Sequence, residues 1–246
     1  MSVDHNKNII EIRDLSFSYG ENKVLDSVNL DIHSGDYLGI IGPNGGGKTT
    51  LLKLILGLLT PTSGSISKKI HSVGYVAQKA TTFDTNFPIT VREVVAMGRI
   101  GHLGLFHGAT AKDKELIDWA LDQVDLKEFQ NKLIGNLSGG QQQRAFIARA
   151  LAQKPEIIFL DEPTSGVDTF SQEQFYKLLK KMNRDLDITL VLVSHDIDVV
   201  TAEVTEVACI NQGLIYHGSP EGFVKEEHLG KLYTNGVKFI VHSHHD

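Results

Sequence analysis

Cysteine is nearly missing from this sequence: Cys209 is the single one among 246 residues. One thiol cannot close an internal disulfide, so a stapled secreted scaffold is excluded. Positive charge is not in excess either. Lys and Arg number 24 against 30 Asp and Glu, a formal charge of −6, whereas a chain built to grip nucleic acid ordinarily carries a basic surplus. No apolar run approaches the ~18 residues that mark a membrane-spanning helix. The opening MSVDHNKNII has no apolar stretch of the signal-peptide kind. Repeats and low-complexity tracts are lacking. These gaps describe a cytosolic protein that meets a membrane only through a partner. Apolar residues at 41% and charged residues at 22% suit a globular core. Histidine is the abundant residue: there are 11, three of them among the last five positions.

The apolar pattern divides the chain. Leu15, Phe17 and Tyr19, then Val28, Leu30 and Ile32, alternate with polar residues as strands do. His33 to Asp36 forms a turn, and 37–41 is a continuous apolar run suited to a strand buried on both faces. A glycine-rich turn leads to a helix over 49–58, closed by Gly57 and Pro61, and a short strand is expected at 73–76. From about Gln78 to Ala152 the pattern turns helical. Thr90 with Glu93 makes a capping box, a second helix follows Thr110, and a third runs from Ser138 until Pro155. Apolar strands return at 157–160 and 189–193. Thr169 with Gln172 caps the helix between them, which runs to about Arg184. Strands at 207–210 and 214–217 flank Asn211-Gln212-Gly213 as a hairpin, and Asn235-Gly236 signals a second hairpin.

Gly42-Pro43-Asn44-Gly45-Gly46-Gly47-Lys48-Thr49 fits G-x-x-x-x-G-K-[ST]. A strand precedes it and a helix follows, which is the setting that makes it a phosphate loop. Glycines let backbone N–H groups surround phosphate oxygens, and the helix terminus favours an anion. Lys48 would reach the β- and γ-phosphates, the Thr49 hydroxyl would ligate Mg²⁺, and Thr50 follows in the same turn. The strand 157–160 ends in Asp161 and Glu162. Alone, two acids at a strand end read as solvated carboxylates. Beside a phosphate loop, Asp161 reads as part of the Mg²⁺ shell and Glu162 as the group that orients an attacking water.

Leu137-Ser138-Gly139-Gly140-Gln141 is a further anion site in physical terms, since Ser138 caps a helix with free N-terminal amides. With this pentapeptide the chain resembles the ATP-binding cassette family, from about Ile10 to Gly218. The resemblance implies an α/β P-loop NTPase fold with a RecA-like core, an N-terminal antiparallel β layer and an α-helical subdomain. It divides the single domain 1–246 into a core (1–78 and 156–220), a helical subdomain (79–155) and a C-terminal extension (221–246). It implies ATP and Mg²⁺ as ligands. It also implies a head-to-tail dimer in which the phosphate loop of one copy and Ser138, Gly139, Gly140 and Gln141 of the other enclose ATP. Tyr19 matches the adenine-stacking position, Gln78 the Q-loop residue that contacts metal and water, Asp168 the loop that crosses the dimer, and His195 the histidine at the γ-phosphate. Glycine at position 46, and Ser-Gly-Val before Asp168, depart from the commoner family residues without removing a functional group.

A single cassette, with no heptad insertion and an acidic balance, favours a transporter subunit over a cassette of DNA maintenance or translation. Its partners would be a separate membrane permease and, indirectly, an extracytoplasmic metal-binding protein, with no nucleic acid. It would sit at the cytoplasmic face of the inner membrane. Met97-Gly98-Arg99, Gly101 to Phe106, Gly166-Val167-Asp168 and Val207 to Asn211 resemble the zinc and manganese importer branch, with zinc preferred over manganese or iron. His242 and His244 would share one face of an extended strand, with His245 and Asp246 beside them. They read as a frayed terminus or as a regulatory zinc site. His102 and His107 read as contacts for the permease, and Cys209 as a buried small hydrophobe.

Overall fold

The computed structural model describes residues 7–78, 88–102, 109–164 and 167–225. The chain opens with two antiparallel strands, β1 (Asn8–Tyr19) and β2 (Asn22–His33). Ile10, Ile12, Leu15 and Phe17 on one and Leu25, Val28, Leu30 and Ile32 on the other are buried. The three-residue steps from Ile12 to Leu15 and from Leu25 to Val28 interrupt strict alternation. Asp14 and Ser27, both at positive φ, fill them, and the register shifts there as a bulge requires. β3 (Tyr37–Ile41) follows, then α1 (Lys48–Leu56), β4 (Ser63–Lys68) and β5 (Val73–Val76). The helical stretch holds α2 (Val91–Ala96), α3 (Ala111–Gln123) and α4 (Gly139–Leu151), with a 3-10 segment at Met97–His102. The last part alternates β6 (Ile157–Asp161), α5 (Thr169–Leu186), β7 (Thr189–Val193), α6 (Ile197–Glu203), β8 (Glu206–Asn211), β9 (Gly213–Gly218) and α7 (Pro220–Lys225).

β2-β1-β4 form an antiparallel sheet, and β5-β6-β7-β3-β8-β9 a second sheet that is parallel except at β9. Every residue of β3, β6 and β7 is buried, so both faces of this sheet are covered. Strand periodicity then sorts the core. Ile157, Phe159, Val191, Val193, Leu38 and Ile40 pack with β1, β2 and α1. Ile158, Leu160, Leu190, Leu192, Tyr37 and Ile41 pack with the helices on the opposite face. Gly39 faces that second side, where a Cβ would stand 2.4 Å from Val200 Cγ1 of α6. Only glycine lets that helix lie so close to the central strand. Cys209 is buried as a small hydrophobe.

Three expected helix starts are capping boxes: Thr90 with Glu93, Thr110 with Asp113, and Ser138 with Gln141. The cap of α5 is a correction. Asp168, not Thr169, adopts the extended cap conformation and accepts the Ser171 N–H at 3.0 Å. A carboxylate is the better partner for a positive helix end, so Thr169 becomes the first helical residue. That helix runs to Leu186 rather than Arg184. α1 starts at Lys48 and stops at Leu56, where Gly57 at φ +78 closes it. The hairpin of β8 and β9 is present, with Gln212 at positive φ. β4, α6 and α7 were not expected. The hairpin signal at Asn235-Gly236, the tail His242, His244, His245 and Asp246, residues His107, Ser165 and Gly166, and the His102 side chain all lie outside the described residues.

Candidate active site

Pairing in register puts the C-terminal ends of β3, β6 and β7 side by side, with Ile40 opposite Val193 and Asp161 opposite Val193. The loops after these strands carry Gly42 to Gly47, Glu162 and His195, so three distant segments converge at one edge of the sheet. Gly42, at φ +148, passes under the end of β8, where a Cβ would stand 2.0 Å from the Ile210 carbonyl oxygen. Gly47, at φ +100, passes Leu25, and its absent Cβ would be 2.6 Å from Leu25 Cδ2. The loop therefore needs glycine for its backbone angle and for space at both ends. Asn44 to Thr50, with Val24 and Glu162, line a concavity of about 260 Å³.

Lys48 lies at the base of this loop and is only 5% exposed. Its ammonium donates to the carbonyls of Gly42 at 2.9 Å and Pro43 at 3.0 Å. Burial lowers its pKa, and the carboxylates of Glu162 and Asp161 oppose that shift. The Thr49 hydroxyl donates to Asp161 Oδ1 at 3.1 Å. Asp161 is buried, which raises its pKa, while the Thr49 hydrogen bond and the lysines Lys53 and Lys48 pull it down. A buried carboxylate beside a hydroxyl, at the foot of a phosphate loop, is the oxygen donor set that a hard divalent cation such as Mg²⁺ takes.

Glu162 sits one residue beyond β6 at φ +44, an uncommon angle for a residue with a Cβ. Its N–H donates to the Val193 carbonyl at 2.9 Å, which ties the bend to β7. The turned side chain meets two others. Gln78 Nε2 donates to Glu162 Oε2 at 2.6 Å, and His195 Nδ1 lies 3.4 Å from Glu162 Oε1. The structure thus gathers Lys48, Thr49, Gln78, Asp161, Glu162 and His195 around one loop.

Ser138, Gly139, Gly140 and Gln141 are placed elsewhere. Ser138 caps α4, its oxygen accepting the Gln141 N–H at 3.3 Å while Gln141 Oε1 accepts the Ser138 N–H at 3.1 Å. Ser138 and Gly139 are exposed, and a Cβ on Gly139 would meet nothing within 4 Å. This terminus borders a separate concavity with Arg144, Phe170, Ser171 and Gln174, which shares no residue with the one at the phosphate loop. Asp168 is engaged as the α5 cap, which holds its pKa below the ordinary value through the Ser171 hydrogen bond. Tyr19 is half exposed at the end of β1, edge-on to Phe17 at 4.8 Å, and is not among the residues lining the loop's concavity.

A family model described as "ABC transporter" matches residues 25–165, more than half of the chain. The chain belongs to the ABC transporter family. A shorter match, to a model described as an AAA domain, covers residues 130–201. The "Zinc uptake system ATP-binding protein ZurA" of Listeria monocytogenes is 46% identical over 87% of this cassette and 86% of its own length. The "Manganese transport system ATP-binding protein MntB" of the same organism is 42% identical over 91% of the cassette and 95% of its own length. Among solved structures, a metal-chelate type ABC transporter in an inward-facing conformation matches with a TM-score of 0.84. It is 31% identical, over 93% of this chain and 90% of that one. A dimeric cassette in a post-hydrolysis state, bound to ADP and Pi, matches with a TM-score of 0.70. It is 29% identical, over 86% of this chain and 98% of that one. The fold is therefore the α/β P-loop ATPase of this family, and the chain is an ATPase subunit. Among the described residues no helix is long and apolar enough to cross a membrane.

Val24 and Gln143 escaped sequence reasoning, and Gln172, expected as the cap partner of Thr169, has a different role. Val24 of β2 lines the concavity at the phosphate loop. Gln143, 2% exposed, donates from Nε2 to the Pro163 carbonyl, one residue after Glu162. Gln172 Nε2 donates to the carbonyls of Thr164 and Val167 from α5. The glutamines hold the loop after Glu162 between α4 and α5. Position Gln143, directly after Gln141-Gln142 on a buried helix face, was a legible sign that a polar group there needs a fixed partner.

Proposed function

We propose that this chain is the ATP-hydrolysing subunit of an importer for a divalent transition metal, with zinc as the cargo. The observation that supports the mechanism is the grip of Gln78 and His195 on Glu162 at the mouth of the phosphate loop. Amides of Gly45 to Thr50 and the Lys48 ammonium bind the phosphates of ATP. Thr49 and Asp161 hold Mg²⁺, which when bound neutralises developing charge on the phosphates. Gln78 fixes one oxygen of Glu162, leaving the carboxylate to orient a water and accept its proton. His195 stands beside it to donate to the γ-phosphate. Tyr19 stacks on the base.

The site is completed by a second copy, whose Ser138, Gly139, Gly140 and Gln141 present the α4 terminus to the γ-phosphate, with Asp168 at the crossing. Two copies close on two ATP molecules and open after hydrolysis, and a membrane permease docked beside the helical subdomain, 79–155, is biased by that cycle. The subunit lies on the cytoplasmic face of the membrane. The core comprises 1–78 and 156–220, and the tail 221–246 carries His242, His244 and His245 as ligands for a regulatory zinc ion. Zinc is supported by the 46% identity to the zinc uptake protein, and manganese is the second reading on the strength of the 42% relative.

Growth separates them. A strain lacking this chain should fail in chelated medium and recover with added zinc but not manganese. Recovery with manganese alone would replace the cargo, and growth indifferent to any metal would overturn import.

A further inference from the structure

The opposite end of the parallel sheet holds a cluster that the ATPase chemistry does not use. We propose that His33, Asp36 and Glu206 form a binding site for one divalent cation of the zinc type. The three residues come from the end of β2, the residue just before β3 and the start of β8, and each offers a ligand atom within 4.8 Å of the others. Asp36 is fully buried. Its Oδ2 accepts the His33 backbone N–H at 2.7 Å and lies 3.2 Å from His33 Nδ1. Among the described residues its Oδ1 has no hydrogen-bond partner.

A buried carboxylate oxygen without a partner is costly, and a cation is the group that satisfies it while cancelling the charge of the adjacent Glu206. Two ligands at ~2.0–2.1 Å from a tetrahedral zinc ion stand roughly 3.3 Å apart, close to the 3.2 Å between His33 Nδ1 and Asp36 Oδ2, and the remaining ligand atoms, within 4.8 Å, draw in on a bound ion. Glu206 is itself held, since His217 Nε2 lies 3.2 Å from its Oε2, a contact of the kind that positions metal-binding carboxylates. A surface concavity bordered by Arg13, Asp31, His33 and His217 adjoins the cluster at His33. One imidazole with two carboxylates suits Zn²⁺ or Mn²⁺ better than a bulky or soft ion. The cluster lies roughly 20 Å from the phosphate loop, the six steps from Asp36 to Gly42 along β3 at ~3.3 Å per residue. It is separate from the ATP site, and the proposal does not rest on the transport reading.

The test uses the full-length chain with His242, His244 and His245 replaced by Ala, freed of metal with a chelator and titrated with Zn²⁺ or Co²⁺. One equivalent should bind, raise the thermal midpoint and, for Co²⁺, give a visible d–d absorption band. His33→Gln and Glu206→Gln should each weaken binding at least tenfold, with ATPase activity in Mg²⁺ showing that the fold is intact. Binding unchanged in both variants would overturn the site, as would no binding at all. Should either variant fail to fold, anomalous scattering from wild-type crystals soaked in Co²⁺ decides. A peak among the three side chains sustains the proposal and its absence ends it.

Discussion

Glu162 carries the most information of any single residue here. Its backbone is held at φ +44 by a hydrogen bond to β7, and its carboxylate is met by Gln78 and His195. The strain and the two contacts all aim one carboxylate at the phosphate loop. Glu162→Gln preserves volume and can still accept from Gln78, but it cannot take a proton. Hydrolysis should fall by about 10²–10⁴-fold, the usual worth of a general base, with ATP binding retained. A phosphate-release assay beside equilibrium nucleotide binding checks this. Loss of both together would mean that Glu162 builds the pocket rather than serving the reaction.

Elements differ in how openly the sequence announces them. Helix starts at Thr90, Thr110 and Ser138, and the capping box at Thr90, were legible because cap and partner lie three residues apart on one chain segment. The phosphate loop and the strand ending in Asp161-Glu162 were legible for the same reason. Thr169 was misread as the cap of α5 because cap preference alone favours either Asp168 or Thr169, and only the backbone angle decides. β4 was invisible: Ser63 to Lys68 has one apolar residue, Ile66, and forms a strand because β1 offers it an edge at Ile12. Val24 acts across a long sequence separation, which no local pattern reports, and the partner of Gln143 is equally remote although its place on a buried helix face was legible.

Two predictions belong at this scale. Asp113 caps α3 through Thr110 and pairs with Arg99, which together lower its pKa to about 2. The unfolded value is ~3.9, so its contribution is complete above about pH 4 and is lost as pH falls toward 2. Urea midpoints between pH 6 and 2.5 should drop less steeply in Asp113→Asn than in wild type, and parallel curves would contradict the assignment. Gly39→Val should cost about 1–3 kcal/mol by overpacking against the stiff Val200. Gly101→Ala, where a Cβ meets nothing within 4 Å, should stay within about 0.5 kcal/mol. Denaturant titration compares the two, and equal costs would refute the close approach of α6.

On the scale of the whole molecule, one chain carries two surfaces suited to phosphate, and they do not share a residue. One has Lys48, the Thr49–Asp161 pair and the Gln78–Glu162–His195 group. The other has the capped but exposed start of α4. In the proposed cycle, two copies related by a two-fold axis bring both surfaces to one nucleotide, twice. The solved dimeric relative bound to ADP and Pi supports that arrangement for this fold. The most direct test is the structure of the Glu162→Gln chain with Mg²⁺ and ATP. The account predicts a dimer in which amides of residues 138–141 from one copy lie ~2.7–3.1 Å from γ-phosphate oxygens held by Lys48 of the other. ATP bound at the phosphate loop, with residues 138–141 facing solvent in every assembly, would contradict it.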